Sequence, residues 1–587
     1  MENSKRVFDL LDGLNTKNIP NFLNKKLDGK WINYSSEEVY DIVHELALGL
    51  LKLGFKKNEK VAIISGNRPE WNFVDLAVQL LGGVTVPIYP TITVDDYSFI
   101  FNDSRVKLVF VENQELLEKA VEARKLVESI EDIFTFNDIV GQKKWDQLLE
   151  KDSRSKYVIL DKYKAEVKEH DLLTLIYTSG TTGKPKGVML SHFNVISNVF
   201  SIVRGNFFEL VEGDRSLSFL PMCHIYERTN IYLYFYYRVN IYYAESMETI
   251  ADNIREVKPH LFATVPRLLE KVFDKIVAKG SELEGLKRKL FFGAIDFGLK
   301  YDPMEPQSLM DKIRYALYGK LIFSKWREAL GGNIKLITSG SAALQPRLSR
   351  IFWAAGIPIA EGYGLTETSP VISVSKVKPP DFKIGCVGTI IDCMEVRIAE
   401  DGEILTKGDS VMQGYYNNPE ATAEAIDKEG WFHTGDIGEL IEGKYLKITD
   451  RKKEIFKTSG GKYIAPQMVE NKLKESKFIE QCMVVGENQK FPAALIVPEF
   501  EALKQWAKDQ GIDGSIEEIS KHEKVNHLFE EEVNKTMEFV AQYEKVKKFL
   551  ILSEMFTIDA GELTPTLKLK RKVINNKYKD KIERIYQ

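Results

Sequence analysis

The stretch Thr178-Ser-Gly-Thr-Thr-Gly-Lys-Pro-Lys-Gly187 gathers residue types suited to one chemistry, the wrapping of a polyphosphate. Gly180, Gly183 and Gly187 allow positive φ and close backbone approach. Thr178, Ser179, Thr181 and Thr182 supply hydroxyl donors, and Lys184 and Lys186 supply charge. The spacing is not that of a Walker A loop, because two residues rather than four separate Gly180 from Gly183. Pro185 also follows Lys184 where that loop needs a Ser or Thr for Mg²⁺. The plain alternative, a polar surface turn between two strands, suits a shorter loop with fewer cations.

A second set of residues follows at a distance. In Glu361-Gly-Tyr-Gly-Leu-Thr-Glu-Thr-Ser-Pro370, Gly362 and Gly364 flank Tyr363 and present its ring as a stacking face. Thr366 and Glu367 bring a hydroxyl and a carboxylate to the same place, and Glu367 suits Mg²⁺, which takes one or two carboxylates plus phosphate oxygens and water. Upstream, Ser339-Gly-Ser-Ala-Ala-Leu344 turns on small residues, so Ser341 and Ala342 let a flat ring lie against backbone. Asp436 ends Gly430-Trp-Phe-His-Thr-Gly-Asp436 and offers two acceptor oxygens, or serves an Asx turn. His224, in Pro221-Met-Cys-His-Ile-Tyr-Glu-Arg228, reads equally as a site residue and as a structural histidine. The segment Leu563-Thr-Pro-Thr-Leu-Lys-Leu-Lys-Arg-Lys572 reads on its own as a basic, solvated stretch.

These residues need elements to position them. Apolar, β-branched runs predict strands at residues 61–65, 84–89, 107–111, 172–177 and 188–190, and a helix at 70–81. This βαβ series implies a largely parallel sheet covered by helices on both faces. Ser191 is the expected cap of a helix starting at His192, and further strands are expected at 217–220, 334–338 and 358–360. Residues 229–243 hold six tyrosines, which either line an apolar tunnel or pack as helix and strand. Short strands and turns predict a β-rich subdomain over residues 384–436, and 286–326 reads as helical.

Composition describes an ordinary globular chain of more than one domain, with 44% hydrophobic and 28% charged residues. Its 81 basic and 85 acidic residues are interspersed, and a net charge of −4 argues against nucleic acid as a partner. Four cysteines form no CxxC pair and no metal-ligand spacing, which fits a reducing compartment. With no long apolar segment near residue 1 and no run near 18 apolar residues, a cytoplasmic location is expected, and peripheral contact with a bilayer stays open.

Residues 177–188 resemble the signature of the AMP-forming adenylating superfamily of acyl-CoA synthetases, peptide-synthetase adenylation domains and luciferases. The resemblance runs from about residue 34 to 572 and is nearest the long-chain fatty acid–CoA ligase branch. It implies an α/β fold with a large amino-terminal domain of parallel sheets with helices plus a small β-rich subdomain, residues 1–449. A smaller mobile α+β carboxyl-terminal domain, residues 450–587, would follow, hinged at Asp450. It implies ATP, Mg²⁺ and coenzyme A as partners of a fatty acid, with Tyr363 on adenine, Thr366 on phosphate, and Glu367 and Thr178 on the metal. Asp436 and Arg451 would hold the ribose, Gly460 and Gly461 would meet the thiol substrate, and His224 would lie between nucleotide and acyl pocket. Lys568 falls on the catalytic lysine, although Leu567 replaces the family's usual glycine and Lys570 stays an alternative. Arg571 keeps the downstream arginine, and Arg238 stands where relatives have a turn glycine. An acceptor other than CoA would be a separate carrier protein, since the chain reaches Gln587 without a carrier domain. A kinase would release ADP, and a non-catalytic lipid-binding protein would lack several of Thr366, Glu367, Asp436 and Lys568.

Overall fold

The computed structural model describes residues 4–151, 154–178, 185–378, 381–538, 540–558, 560–564 and 568–587. The chain packs as two compact units. The first comprises residues 1–397, 405–434 and 440–447, and the second comprises 398–404, 435–439 and 448–587.

In the first unit a seven-stranded sheet runs in the order Gly414–Tyr415, Lys186–Ser191, Leu172–Thr178, Val84–Pro87, Lys60–Ile64, Val106–Val111 and Asp132–Thr135. The five strands from Leu172–Thr178 outward are parallel, Lys186–Ser191 pairs antiparallel to Leu172–Thr178, and Gly414–Tyr415 pairs antiparallel to Lys186–Ser191. Side chains alternate between two cores. Val61, Ile63, Leu108 and Phe110 enter one, and Ala62, Ile64, Val109 and Val111 the other. Burial on both faces is what a parallel sheet flanked by helices requires, and it explains why these strands read as continuous apolar runs.

A second sheet holds the strands Arg215–Ser218, Leu261–Thr264, Leu336–Ser339 and Ile359–Gly364 in parallel, with Val371–Val374 antiparallel beyond them. Its own alternation places Leu261, Leu336 and Ala360 in the core shared with the first sheet, and Phe262, Ile337 and Ile359 in a core beneath helices. The strand Ile359–Gly364 runs past the expected end at residue 360 and through the Gly-Tyr-Gly stretch. Gly364 permits this, because a Cβ there would lie 1.7 Å from the Pro370 carbonyl oxygen.

The helix Ile225–Tyr237 is fixed by a buried charge. The Arg228 guanidinium donates to Asp75 (2.5 Å), Thr85 (2.6 Å), Thr174 (2.7 Å) and Tyr232 (2.7 Å). A cation can lie there because its donors are met by a carboxylate and three hydroxyls. Tyr232, Tyr234 and Tyr243 are fully buried, so these tyrosines are packing residues. Arg238 ends this helix at φ +57 and donates to the Gly13 carbonyl at 3.2 Å, taking the left-handed turn that a glycine would make without strain.

The second unit is built on a three-stranded sheet in which Ala493–Pro498 lies between Ile479–Val485 and Lys548–Ile551. The central strand is buried throughout, with Ala494 and Ile496 in one core and Ala493, Leu495 and Val497 in the other. Among the described residues, no helix is long and apolar enough to cross a membrane.

Candidate active site

Thr178 ends one strand and Lys186 begins the next, and the two residues face each other across the antiparallel pair. They therefore fix the two ends of the glycine-rich loop. Ser179, Gly180, Thr181, Thr182, Gly183 and Lys184 lie outside the described residues. Gly187 is needed for packing, since a Cβ there would lie 3.0 Å from the Tyr177 ring.

Tyr415 joins this loop to the second motif. Its short strand pairs with Val188, the Lys186 ammonium lies 5.0 Å from its ring centroid, and its hydroxyl donates to Glu367 Oε1 at 2.9 Å. Burial and the Glu367 charge push the Tyr415 phenol well above its ordinary value, so it stays a donor. The Met412 N–H also donates to the Glu367 carbonyl at 2.8 Å. Tyr415, which no motif in the sequence marks, thus joins Lys186 to Glu367, and Thr178 faces Lys186 across the strand pair.

The helix His192–Arg204 ties the second motif to the stretch that leads into Tyr415. Ser191 caps it, accepting from Asn194 N–H at 3.1 Å. One turn apart, Asn194 donates to the Asp409 and Val411 carbonyls (2.7 and 2.9 Å) and Asn198 to the Val371 carbonyl (2.8 Å). Thr366 is buried, and Tyr363 and Glu367 are half-buried. Ser341 and Ala342 are exposed at the carboxyl end of the strand Leu336–Ser339, where open α/β sheets bind ligands. Ser341 takes φ +68.

His224 caps the helix Ile225–Tyr237, its Nδ1 accepting from Tyr226 N–H at 3.1 Å. Tyr226 ties this end to the Ser341 loop, donating to Thr338 Oγ1 at 2.9 Å with its ring against Gly340. Asn67 holds the preceding loop, donating to the Leu220 carbonyl (2.7 Å) and accepting from Met222 N–H (3.0 Å).

Behind His224 lies Glu227, whose Oε1 accepts from the Ser218 hydroxyl at 2.6 Å and whose Oε2 is buried with no partner among the described residues. Burial raises its carboxyl from the ordinary 4.5 to about 8. Below 4.5 the folded and unfolded chains are both protonated and the group's stabilising contribution is fully present. Between 4.5 and about 8 only the folded chain keeps the proton, so stability falls by about 1.4 kcal/mol per pH unit. Glutamine does not titrate. Chemical unfolding across this window is therefore expected to show wild type losing stability relative to Glu227→Gln as pH rises, and a constant difference would contradict the buried, neutral acid.

The second unit carries the remaining residues. Arg451 Nε lies 3.6 Å from Asp436 Oδ1. The turn before Asp436 is fixed by Gly435, at φ +72, whose N–H donates to Glu403 at 3.0 Å; Lys452 also donates to Glu403 (2.8 Å). Asp450 is buried, accepting from Arg451 N–H (2.6 Å) and from Gln467 N–H (3.3 Å) at the start of the helix Pro466–Leu473. Burial raises its carboxyl to about 6. Gly460 and Gly461 are exposed near the tip of the hairpin formed by Phe456–Lys457 and Tyr463–Ile464, Gly461 at φ +81. Lys568 is half-buried, its N–H donating to Thr564 Oγ1 at 3.0 Å, whereas Lys570 is exposed at the start of the helix Arg571–Lys577. Arg571 donates to Glu454 (2.9 Å) and Glu470 (2.7 Å) and anchors this segment to its unit.

A family model described as AMP-binding enzyme matches residues 16–416, and one described as AMP-binding enzyme C-terminal domain matches residues 453–587. The long-chain-fatty-acid–CoA ligase FadD15 of Mycobacterium bovis is 34% identical over 566 residues, covering 95% of this chain and 93% of its own. Human long-chain-fatty-acid–CoA ligase 1 is 32% identical over 592 residues, covering 95% of this chain and 82% of its own. Among solved structures, the A domain of the carboxylic acid reductase from Segniliparus rugosus, in complex with AMP and a co-purified carboxylic acid, superposes with a TM-score of 0.75. It is 21% identical and covers 100% of this chain and 95% of its own, a likeness of fold.

Proposed function

The chain belongs to the AMP-binding enzyme family, and from that premise we propose that it activates a long-chain fatty acid to its acyl-CoA thioester through an acyl-adenylate. The observation that carries this reading is the meeting of Lys186 and Glu367 at Tyr415, with Thr178 facing Lys186 across the strand pair.

In the first step a carboxylate oxygen of the fatty acid attacks the α-phosphorus of ATP, and the bond to the β-phosphate oxygen breaks to release pyrophosphate. Both reactants are anions. Lys186, with Lys184 of the same loop, offsets their repulsion, and Lys568 meets the charge that develops on the α-phosphate. Tyr363 stacks on adenine against Gly362, Ser341 and Ala342; Thr366 donates to phosphate; Asp436 and Arg451 take the ribose hydroxyls. A half-buried carboxylate with a threonine hydroxyl is a donor set that Mg²⁺ accepts when phosphate oxygens and water complete its sphere. Glu367 and Thr178 would hold it, where it would neutralise charge on the phosphates.

In the second step the CoA sulfur attacks the acyl carbonyl, its proton is lost, and the bond to AMP breaks. Gly460 and Gly461 leave room for the thiol arm, His224 borders the acyl group, and Asp450 is the hinge between the two half-reactions. The adenylate is a mixed anhydride, so water must be kept from it.

Without CoA, the first step alone is expected to move labelled pyrophosphate into ATP, and only when a fatty acid is present. Strong exchange with long saturated acids and weak exchange with short ones is the expected result. Exchange with no acid of any length would contradict the reading.

A further inference from the structure

The helix Leu309–Tyr318 has no buried residue, although it follows Gly285–Lys300, which puts Phe291, Ala294 and Ile295 into the core. It is held on one side only, by stacking of Tyr315 on Tyr301 (5.4 Å) and by Tyr318 against Phe297 (5.8 Å). On the other side Leu309, Ile313 and Leu317 recur at four-residue spacing, joined by Met310 and by Leu321 in the turn that follows. Their exposure runs from 77% at Leu309 to 43% at Leu321. Single exposed leucines need no explanation, but a stripe along a helix does.

The charges around the stripe have one dominant sign. Lys312, Arg314, Lys320 and Lys325 stand on the same stretch, with Asp311 as its one acid, and Asp311 is paired with Arg314 at 3.6 Å. The neighbouring helix opens on Lys287, Arg288 and Lys289, all exposed, after exposed Glu282 and Glu284, and its Asp296 is paired with Lys300. An apolar face rimmed by lysine and arginine is the pattern of a helix lying in a bilayer interface, where apolar side chains enter the acyl boundary and cations meet anionic headgroups. A protein partner would need complementary acids, and a second copy of this chain would bring these same cations against themselves.

We propose that residues 309–325 dock the protein on the surface of an anionic phospholipid bilayer. The whole chain carries a net charge of −4, so attraction to such a surface has to come from a local patch such as this one rather than from overall charge. The proposal does not depend on the reaction catalysed. It would place a protein with relatives named for long-chain fatty acids where such acids dissolve.

The test is co-sedimentation of the full chain with vesicles of phosphatidylcholine alone or with phosphatidylglycerol added, alongside the variants Leu309→Asp/Ile313→Asp and Lys312→Glu/Lys320→Glu. Wild type is expected to bind the anionic vesicles and to release as salt is raised. The apolar variant should bind more than about tenfold more weakly, having lost two buried side chains. The charge variant should weaken by about tenfold or more and lose much of its salt dependence. All four positions are exposed, so melting temperature should hold within a few degrees of wild type. Wild type free of both vesicles, or variants that bind like wild type, would overturn the proposal. So would a wild-type dimer that Leu309→Asp/Ile313→Asp dissociates, because a second copy would then cover the stripe.

Discussion

Lys568→Ala is expected to slow acyl-adenylate formation by about 10²-fold to 10³-fold while leaving thioester formation from supplied acyl-adenylate nearly intact. The asymmetry follows from where charge develops. Attack on the α-phosphorus adds negative charge to a centre that already bears anionic oxygens and the β- and γ-phosphates, and a positioned cation is worth most there. Attack of a thiol on the acyl carbonyl puts its developing charge on the carbonyl oxygen first, and the AMP phosphate takes up charge only as a leaving group, with no change of coordination at phosphorus. The lysine sits in a tight segment, with Thr564 N–H donating to the Lys568 carbonyl at 2.8 Å and Lys568 N–H returning to the Thr564 hydroxyl at 3.0 Å. The backbone is thus held independently of the side chain, and alanine should leave the fold in place. Arg571 makes the contrast. It satisfies Glu454 and buried Glu470, so its removal would loosen the whole unit and both half-reactions with it. Separate assays of the half-reactions decide the matter: equal losses in both would remove Lys568 from the first step, and a selective loss in Lys570→Ala would transfer the role there.

Glu367→Gln is expected to lower adenylation by about 10²-fold or more and to raise the Mg²⁺ concentration needed for half-maximal rate. Glutamine keeps an oxygen for the Tyr415 hydroxyl, which lies 2.9 Å from Glu367 Oε1, and leaves the backbone bond from Met412 N–H untouched. What it removes is charge. The melting temperature should therefore stay close to wild type while the metal dependence moves. A fall in rate with unchanged Mg²⁺ dependence would assign Glu367 a structural part, as the acceptor that orients Tyr415 and, through it, Lys186.

The strand-ending runs at Leu172–Thr178 and Leu336–Ser339 and the small residues after them were legible because a buried parallel strand is a local apolar pattern, and glycine, serine and threonine mark its end. Residues that assemble these pieces were not. Tyr415 sits in a Gly-Tyr-Tyr-Asn-Asn-Pro stretch that signals a short strand and a turn, yet nothing local says that it pairs with Val188 and meets Glu367. Asn194 and Asn198 read as polar positions on one helix, and their partners near residues 371 and 410 lie some two hundred positions away. Arg228 and Asp75 are separated by 153 positions and look in sequence like two ordinary surface charges. Pairing of distant side chains leaves no periodic trace in one sequence. The strand's extension past residue 360 was hidden for another reason, because glycines weaken a strand pattern, whereas Gly364 here admits the Pro370 carbonyl within the strand.

On the proposed function, this chain joins a long fatty acid to CoA by way of AMP. The direct measurement is the full product set from purified protein given ATP, Mg²⁺, CoA and saturated acids from short to long. AMP, pyrophosphate and a long-chain acyl-CoA in equal amounts is the predicted result. ADP in place of AMP, or AMP formed with no thioester at any chain length, would contradict it.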